Sequence, residues 1–267
     1  MDSDRTRNTV SSEVAISGCG LHTGEPCTLR LAPAPAGGGL VFYRDDLAPG
    51  LPIPAMAPFV VATRNRIALG REGATVETVE HLLAVLAMAG ISDCALHVTG
   101  PEVPAGDGSA LPLWRLVAAA GLRPLAGTVP VRTLPAPFWV EEPDRFLIAL
   151  PAPRLRLTVT IDFPHPAIGC QTLSLEPDRE NFAAALAPAR TFGFLSDRER
   201  LHAAALGRGG SAAGATTGSR AGRMAPPRCG LAARLGSGGA ALRSVTTRLR
   251  SVSRNSGGGW WARPNAS

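Results

Sequence analysis

Ala74-Thr75-Val76-Glu77-Thr78-Val79-Glu80-His81-Leu82-Leu83-Ala84-Val85-Leu86-Ala87-Met88-Ala89-Gly90 holds the chain's only adjacent carboxylate and imidazole, at the head of an apolar run. Thr78 or a residue just before it is expected to cap a helix, Glu80 and His81 to fall in its first turn, and Gly90 to stop it. Leu82, Leu83, Val85, Leu86 and Met88 predict that this helix is buried on most sides. A glutamate and a histidine in such a setting need hydrogen bonds, charge or a metal to offset burial. The plain alternative is a cap or a partner of the helix dipole. The chemical reading is a metal-bound imidazole beside a general base. No histidine follows His81 four residues on, so a metal here would need ligands from elsewhere in the chain.

With 267 residues, 45% of them hydrophobic, the chain has material for one large or two medium domains. It has no apolar run of about 18 residues and no basic-then-apolar leader, so a cytoplasmic, unanchored protein is expected. Five scattered cysteines without C-x-x-C spacing fit reduced thiols better than a disulfide framework or zinc ribbon. The net charge of +6 hints at nucleic acid until it is located. All 27 basic residues are arginine, and nine of them follow Ser211, whereas all 21 acidic residues precede it. The basic character therefore belongs to the tail. Binding of nucleic acid through that tail ranks last among the readings, because no recognisable RNA fold accompanies it.

Residues 1–12 are polar and are expected to fray. Val14 to Ser17 and Cys27 to Leu31 alternate as strands about the turn Gly18-Cys19-Gly20-Leu21-His22-Thr23-Gly24, with His22 at its tip. On the residues alone this is a hairpin with an exposed histidine. Strands are expected over Leu40–Tyr43 and over Asp93–Thr99, where His97 reads as an ordinary strand side chain, and Val60–Ile67 and Thr75–Thr78 are expected to flank another turn. A rigid turn, Pro101 to Ala110, leads to a helix from about Leu113 to Ala120. This is an α+β layer with helices on one face of a sheet. Gly121 to Gly127 reads as a linker. Further strands are expected at Val129–Thr133, Phe138–Glu141, Phe146–Ala149 and Leu155–Asp162, and helices at Phe182–Leu186 and Arg198–Leu206.

Five stretches together resemble one family, the UDP-3-O-acyl-N-acetylglucosamine deacetylases, zinc amidohydrolases of lipid A synthesis in Gram-negative bacteria. They are Gly18 to Gly24, Thr78-Val79-Glu80-His81-Leu82, Pro101 to Ala110 with Asp107-Gly108-Ser109, Phe163-Pro164-His165-Pro166, and Ala189-Arg190-Thr191-Phe192-Gly193-Phe194. The resemblance covers roughly the first 210 residues. It implies two α/β sandwich domains packed face to face with the site between them. These would be residues 1–124 and 125–211, the second incomplete, followed by a disordered basic tail over 212–267. It also implies Zn2+ as cofactor and UDP-3-O-acyl-N-acetylglucosamine as substrate. His81 would be a zinc ligand, Glu80 the general base on the zinc-bound water, and Thr191 a hydroxyl stabilising the oxyanion. Phe192 and the segment to about Leu206 would line the acyl passage, with His22 near the bound substrate. A monomer that binds no nucleic acid is expected. His165, between two prolines, reads as a structural turn.

The same resemblance implies a His-Lys-x-x-Asp helix completing the zinc site, and a later histidine as general acid. This chain has neither. No histidine, aspartate or glutamate occurs from Ala212 to Ser267. The abrupt change to an Arg/Gly/Ala/Ser-rich segment resembles translation of a GC-rich gene in a shifted frame. Weak zinc binding and little deacetylation are therefore expected, with a catalytically dead module binding a UDP-sugar or acyl chain as the alternative.

Overall fold

A computed structural model of the chain describes residues 5–47, 50–166 and 168–210. The expectation of a disordered tail over 212–267 lies outside the described residues. In chain order, the first half runs β1 (Arg5–Val10), β2 (Val14–Cys19), β3 (Pro26–Pro33), β4 (Leu40–Arg44), β5 (Pro52–Pro54), β6 (Val60–Ala62), β7 (Ala68–Arg71), β8 (Ala74–Glu77), α1 (Glu80–Ala89), β9 (Cys94–Thr99) and α2 (Leu111–Ala120). There follow β10 (Leu122–Val129), β11 (Phe138–Glu142), β12 (Arg145–Ala149), β13 (Leu157–Phe163) and β14 (Gly169–Leu175). The chain is a mixed α+β protein of several sheets and few helices, as its patterning implied. It divides into two compact units: one takes in the described residues up to Pro153 and again from Pro177, the other Arg154–Glu176.

The largest sheet has the order β2-β3-β9-β4-β5, antiparallel throughout except for the parallel pair β4 and β9. Side chains alternate across it. Cys27, Leu29 and Leu31 of β3 and Cys94, Leu96 and Val98 of β9 are buried, and the register sets Leu29 opposite Val98 and Leu31 opposite Leu96. This apolar face and Phe42 of β4 join Leu82, Val85 and Leu86 of α1 and Leu113 and Val117 of α2 in one core. A two-residue period on strands and a helical period on α1 bury the same layer from its two sides.

Gly90 ends α1 as expected. It takes a left-handed φ of 78°, and the Ile91 N–H reaches back to the Leu86 carbonyl at 2.9 Å. That bond satisfies a carbonyl the helix itself cannot.

Several expectations are corrected. Residues 5–10 are not frayed but form β1, paired antiparallel with β10, with Val10 opposite Leu122 and fully buried. β10 itself occupies most of what read as the Gly121–Gly127 linker. Both misreadings have one cause: the partner strand lies more than 100 residues away, and local composition carries no trace of it. Of the stretch Val60–Ile67, expected to flank a turn, only Val60–Ala62 is strand, β6, and Ala68–Arg71 forms β7 in the sheet β6-β7-β8. β14 had no counterpart in the sequence reading. It pairs with β13 through facing hydroxyls, Thr158 with Ser174 and Thr160 with Thr172. His165 does sit in a turn, its carbonyl accepting from the N–H groups of Ile168 and Gly169.

Candidate active site

Thr78 does not cap α1. Its backbone is left-handed, φ 58°, and its hydroxyl points away from the helix to donate to Glu102 Oε1 at 2.7 Å. Positive φ in a β-branched residue is an outlier that surrounding structure must hold in place. Val79 precedes the helix with no side-chain cap. The start of α1 is clamped instead by one residue of the preceding segment. The Ile67 N–H donates to Glu80 Oε2 at 3.0 Å, and the Ile67 carbonyl accepts from the Val79 N–H at 3.4 Å. Glu80, in the first turn, also lies where the helix dipole favours a negative charge.

His81 and Glu80 are both half-buried. Burial lowers the His81 pKa below its ordinary 6.5, against the opposing charges of Glu80 and Asp107. The neutral imidazole, the form able to bind a metal, is therefore favoured. Asp107 belongs to the turn before α2. Burial alone would raise its pKa, but the Ser109 hydroxyl (2.6 Å) and N–H (3.0 Å) and the Arg190 guanidinium (3.3 Å) hold it below the ordinary carboxylate value.

Arg190 brings in the next expected residue. Ser109 and Arg190 form an isolated antiparallel bridge, and the Thr191 N–H approaches the Gly108 carbonyl at 3.4 Å. Thr191 is exposed. Phe192 is half-buried and meets Phe194 edge-on, with ring centroids 5.8 Å apart. The segment Arg190-Thr191-Phe192 thus runs beside the same Asp107–Ser109 turn whose charge acts on His81.

His22 overturns the exposed-tip expectation. It is 6% exposed, because residues 206–209 lie across the Gly18–Gly24 turn. The Gly207 N–H donates to His22 Nδ1 at 3.2 Å, the Arg208 N–H to the His22 carbonyl, and the Gly209 N–H to the Leu21 carbonyl. With Nδ1 accepting, a neutral ring carries its proton on Nε2. That nitrogen is buried, and although the Asn65 carbonyl is near enough to favour the protonated ring, no group meets hydrogen-bond geometry with it. Burial dominates and lowers the His22 pKa, Glu102 opposing it and Arg66 adding to it.

Sequence reasoning passed over Glu102, which is 1% exposed and accepts from the N–H groups of His22 and Thr23 and from the hydroxyls of Thr23 and Thr78. The available signal was a lone carboxylate between two prolines in the apolar run Pro101-Glu102-Val103-Pro104. His97, read as structural, is so: it stacks on Tyr43 and pairs with Asp45 at 2.8 Å.

A tetrahedral zinc site needs three or four ligands converging on one point. Among the described residues no group of three or more His, Cys, Asp or Glu side chains is arranged to hold a metal ion. The donors around His81 therefore do not fit a resident zinc, because no further ligands converge with its ring among the described residues.

Comparison with known proteins accounts for the company these residues keep. The family model described as UDP-3-O-acyl N-acetylglycosamine deacetylase matches residues 7–228, past Ser211 where the motif resemblance ends. The UDP-3-O-acyl-N-acetylglucosamine deacetylase of Leptospira biflexa is 40% identical over 206 residues, 77% of this chain and 68% of that protein. Those of Myxococcus xanthus (43% over 209 residues, 78% and 67%) and Thermosynechococcus vestitus (42% over 222 residues, 83% and 77%) are similar to a comparable extent. On the span of that match and the level of these identities, the chain belongs to the UDP-3-O-acyl N-acetylglycosamine deacetylase family.

Proposed function

We propose that this chain is a deacetylase of lipid A biosynthesis by descent, directed at UDP-3-O-acyl-N-acetylglucosamine, whose zinc-dependent hydrolysis to UDP-3-O-acyl-glucosamine and acetate is impaired. The observation that carries the reading is the grouping of the Glu80-His81 helix head, the Asp107–Ser109 turn and the Arg190–Phe192 segment. Amide hydrolysis needs a base for water and a donor where negative charge develops. In this reading Glu80 is the base, since its bond to the Ile67 N–H involves Oε2 alone. Thr191, an exposed residue, is the donor to the oxyanion. Phe192 borders the acyl chain, and His22, beneath residues 206–209, lies near the bound substrate. His81 is the one family zinc ligand retained, too few to hold the ion that would polarise the carbonyl.

No described helix is long and apolar enough to cross a membrane; action in the cytoplasm, as a monomer, is part of the same proposal. The test pairs zinc stoichiometry after dialysis with acetate release by the full chain. Well under one zinc per chain and acetate at background are expected. A chain that retains one zinc and releases acetate overturns the impairment. The second reading, a UDP-sugar or acyl-chain binding module without chemistry, is favoured by the misfit at His81. It requires that titration with a UDP-glucosamine ligand be indifferent to chelator.

A further inference from the structure

We propose that Glu102 is a positioning residue, the shared anchor that holds the His22 turn and the head of α1 in one frame. The inference rests on the proposed role of these two elements as neighbours of one ligand, but its geometry is independent of that role. Four donors from two separate segments converge on this single buried carboxylate. The N–H groups of His22 (3.0 and 3.1 Å) and Thr23 (2.9 Å) and the Thr23 hydroxyl (2.9 Å) come from the turn after β2. The Thr78 hydroxyl (2.7 Å) comes from the residue two before Glu80. A buried carboxylate without such partners would be strongly disfavoured, so each donor is held as firmly as the charge needs it.

Both segments are shaped around that carboxylate. Thr78 adopts its left-handed backbone while its hydroxyl reaches Glu102. At Gly20 a Cβ would collide with Glu102 Oε2 and with Thr23 Oγ1. The backbone of Glu102 is fixed as well. The Glu77 N–H donates to the Pro101 carbonyl at 2.7 Å and the Val103 N–H to the Glu77 carbonyl at 3.1 Å, while the Ala105 N–H donates to the Cys19 carbonyl. Residues 101–105 thus lie between the end of β8 and the end of β2. A shift of the carboxylate would be felt at His22 and at Val79-Glu80 together.

The test compares Glu102→Gln, Thr78→Ala and Thr78→Ser in the full chain. It follows amide hydrogen exchange, the NMR titration of the His22 ring and the urea midpoint. Thr78→Ala should speed exchange roughly tenfold both at Leu21–Thr23 and at Glu80–Leu83, with protection elsewhere in the core unchanged, and Thr78→Ser should restore it. Glu102→Gln should do the same at both places and also move the His22 titration to lower pH, because the charge that favours the protonated ring is gone. A purely structural role would move the urea midpoint and all amides alike. Faster exchange at only one of the two segments, or an unmoved His22 titration in Glu102→Gln, would overturn the proposal. Neither readout depends on zinc or acetate release, so an inactive chain leaves the test intact.

Discussion

The sheet under α1 and the hairpin β11–β12 are equally well paired and very unequally buried. In the first, Leu29, Phe42 and Leu96 are fully buried against Leu82 and Leu86. In the second, Phe138 faces Ala149 and Trp139 faces Ile148 in regular antiparallel register, yet Phe146 is 65% exposed and Leu147 58%. Strands Phe-Trp-Val and Phe-Leu-Ile are apolar at successive positions, the pattern of a strand covered on both faces. Hairpin formation is local and needs only β-branched and aromatic residues with a turn between them. Burial needs a second layer. Thus the two regions separate what pairing gives from what packing gives.

The largest break in that comparison should come from truncating an aromatic ring in each region. Phe42→Ala is expected to lower unfolding free energy by about 3–5 kcal/mol, read from urea denaturation, because transfer and cavity terms add in a closed core. Phe146→Ala should change it by less than about 0.5 kcal/mol, the range of exposed sites. It should also reduce binding of a hydrophobic dye, since the ring contributes to exposed apolar surface. Equal losses at the two positions would mean that the hairpin is covered in solution.

Next in size is the tie between β1 and the start of β9. Asp93 is fully buried and accepts from Arg7 (2.9 and 3.0 Å), from the Ser92 hydroxyl (2.6 Å) and from the Gly39 N–H (2.9 Å). Burial alone would raise its pKa, but these donors hold it below 3.8. Its contribution is therefore complete above the ordinary value and is lost as pH falls through the lowered folded value. Asp93→Ala should cost about 1.5–3 kcal/mol near neutral pH, typical of hydrogen bonds to a charged group. It should also flatten the acid limb of the stability profile.

Both regions were legible where local pattern decides: the strands β11 and β12 of the hairpin stand within a residue of where their composition puts them. Around α1, helix limits, the left-handed stop at Gly90 and the alternation of β3 and β9 follow from local pattern, because each is decided within a few residues. The Glu80-His81 pair stood out for the same reason, whereas Thr191 entered only through the family resemblance. Illegible were features that depend on distant partners. β1 needs β10, the burial of His22 needs residues 206–209, and Glu102 is a hub only once two turns fold over it. Thr78 shows the contrast in one residue. Its type suggests a cap, but a buried carboxylate 24 positions on recruits its hydroxyl instead.

A smaller effect is expected at Gly90, where adding a Cβ meets no neighbour but must adopt φ 78°. Gly90→Ala should cost about 1–2 kcal/mol through backbone strain alone.

The smallest and most discriminating effect is a pH slope confined to the packed region. His22 and His81 both have pKa values lowered from 6.5 chiefly by burial. An unfolded chain then takes up protons before the folded one as pH drops below 6.5, so stability is full above that value and declines toward the lowered folded values. His22→Asn keeps an oxygen where Nδ1 accepts from the Gly207 N–H but removes the titrating ring. The variant should lose part of the decline below pH 6.5 while matching the parent at pH 8. Substitutions at Phe146 or Leu147 should leave the slope untouched, since no buried imidazole answers to the hairpin. If His22→Asn kept the full slope, the histidine would be titrating as a solvated group. The closure of residues 206–209 over its turn would then not persist in solution.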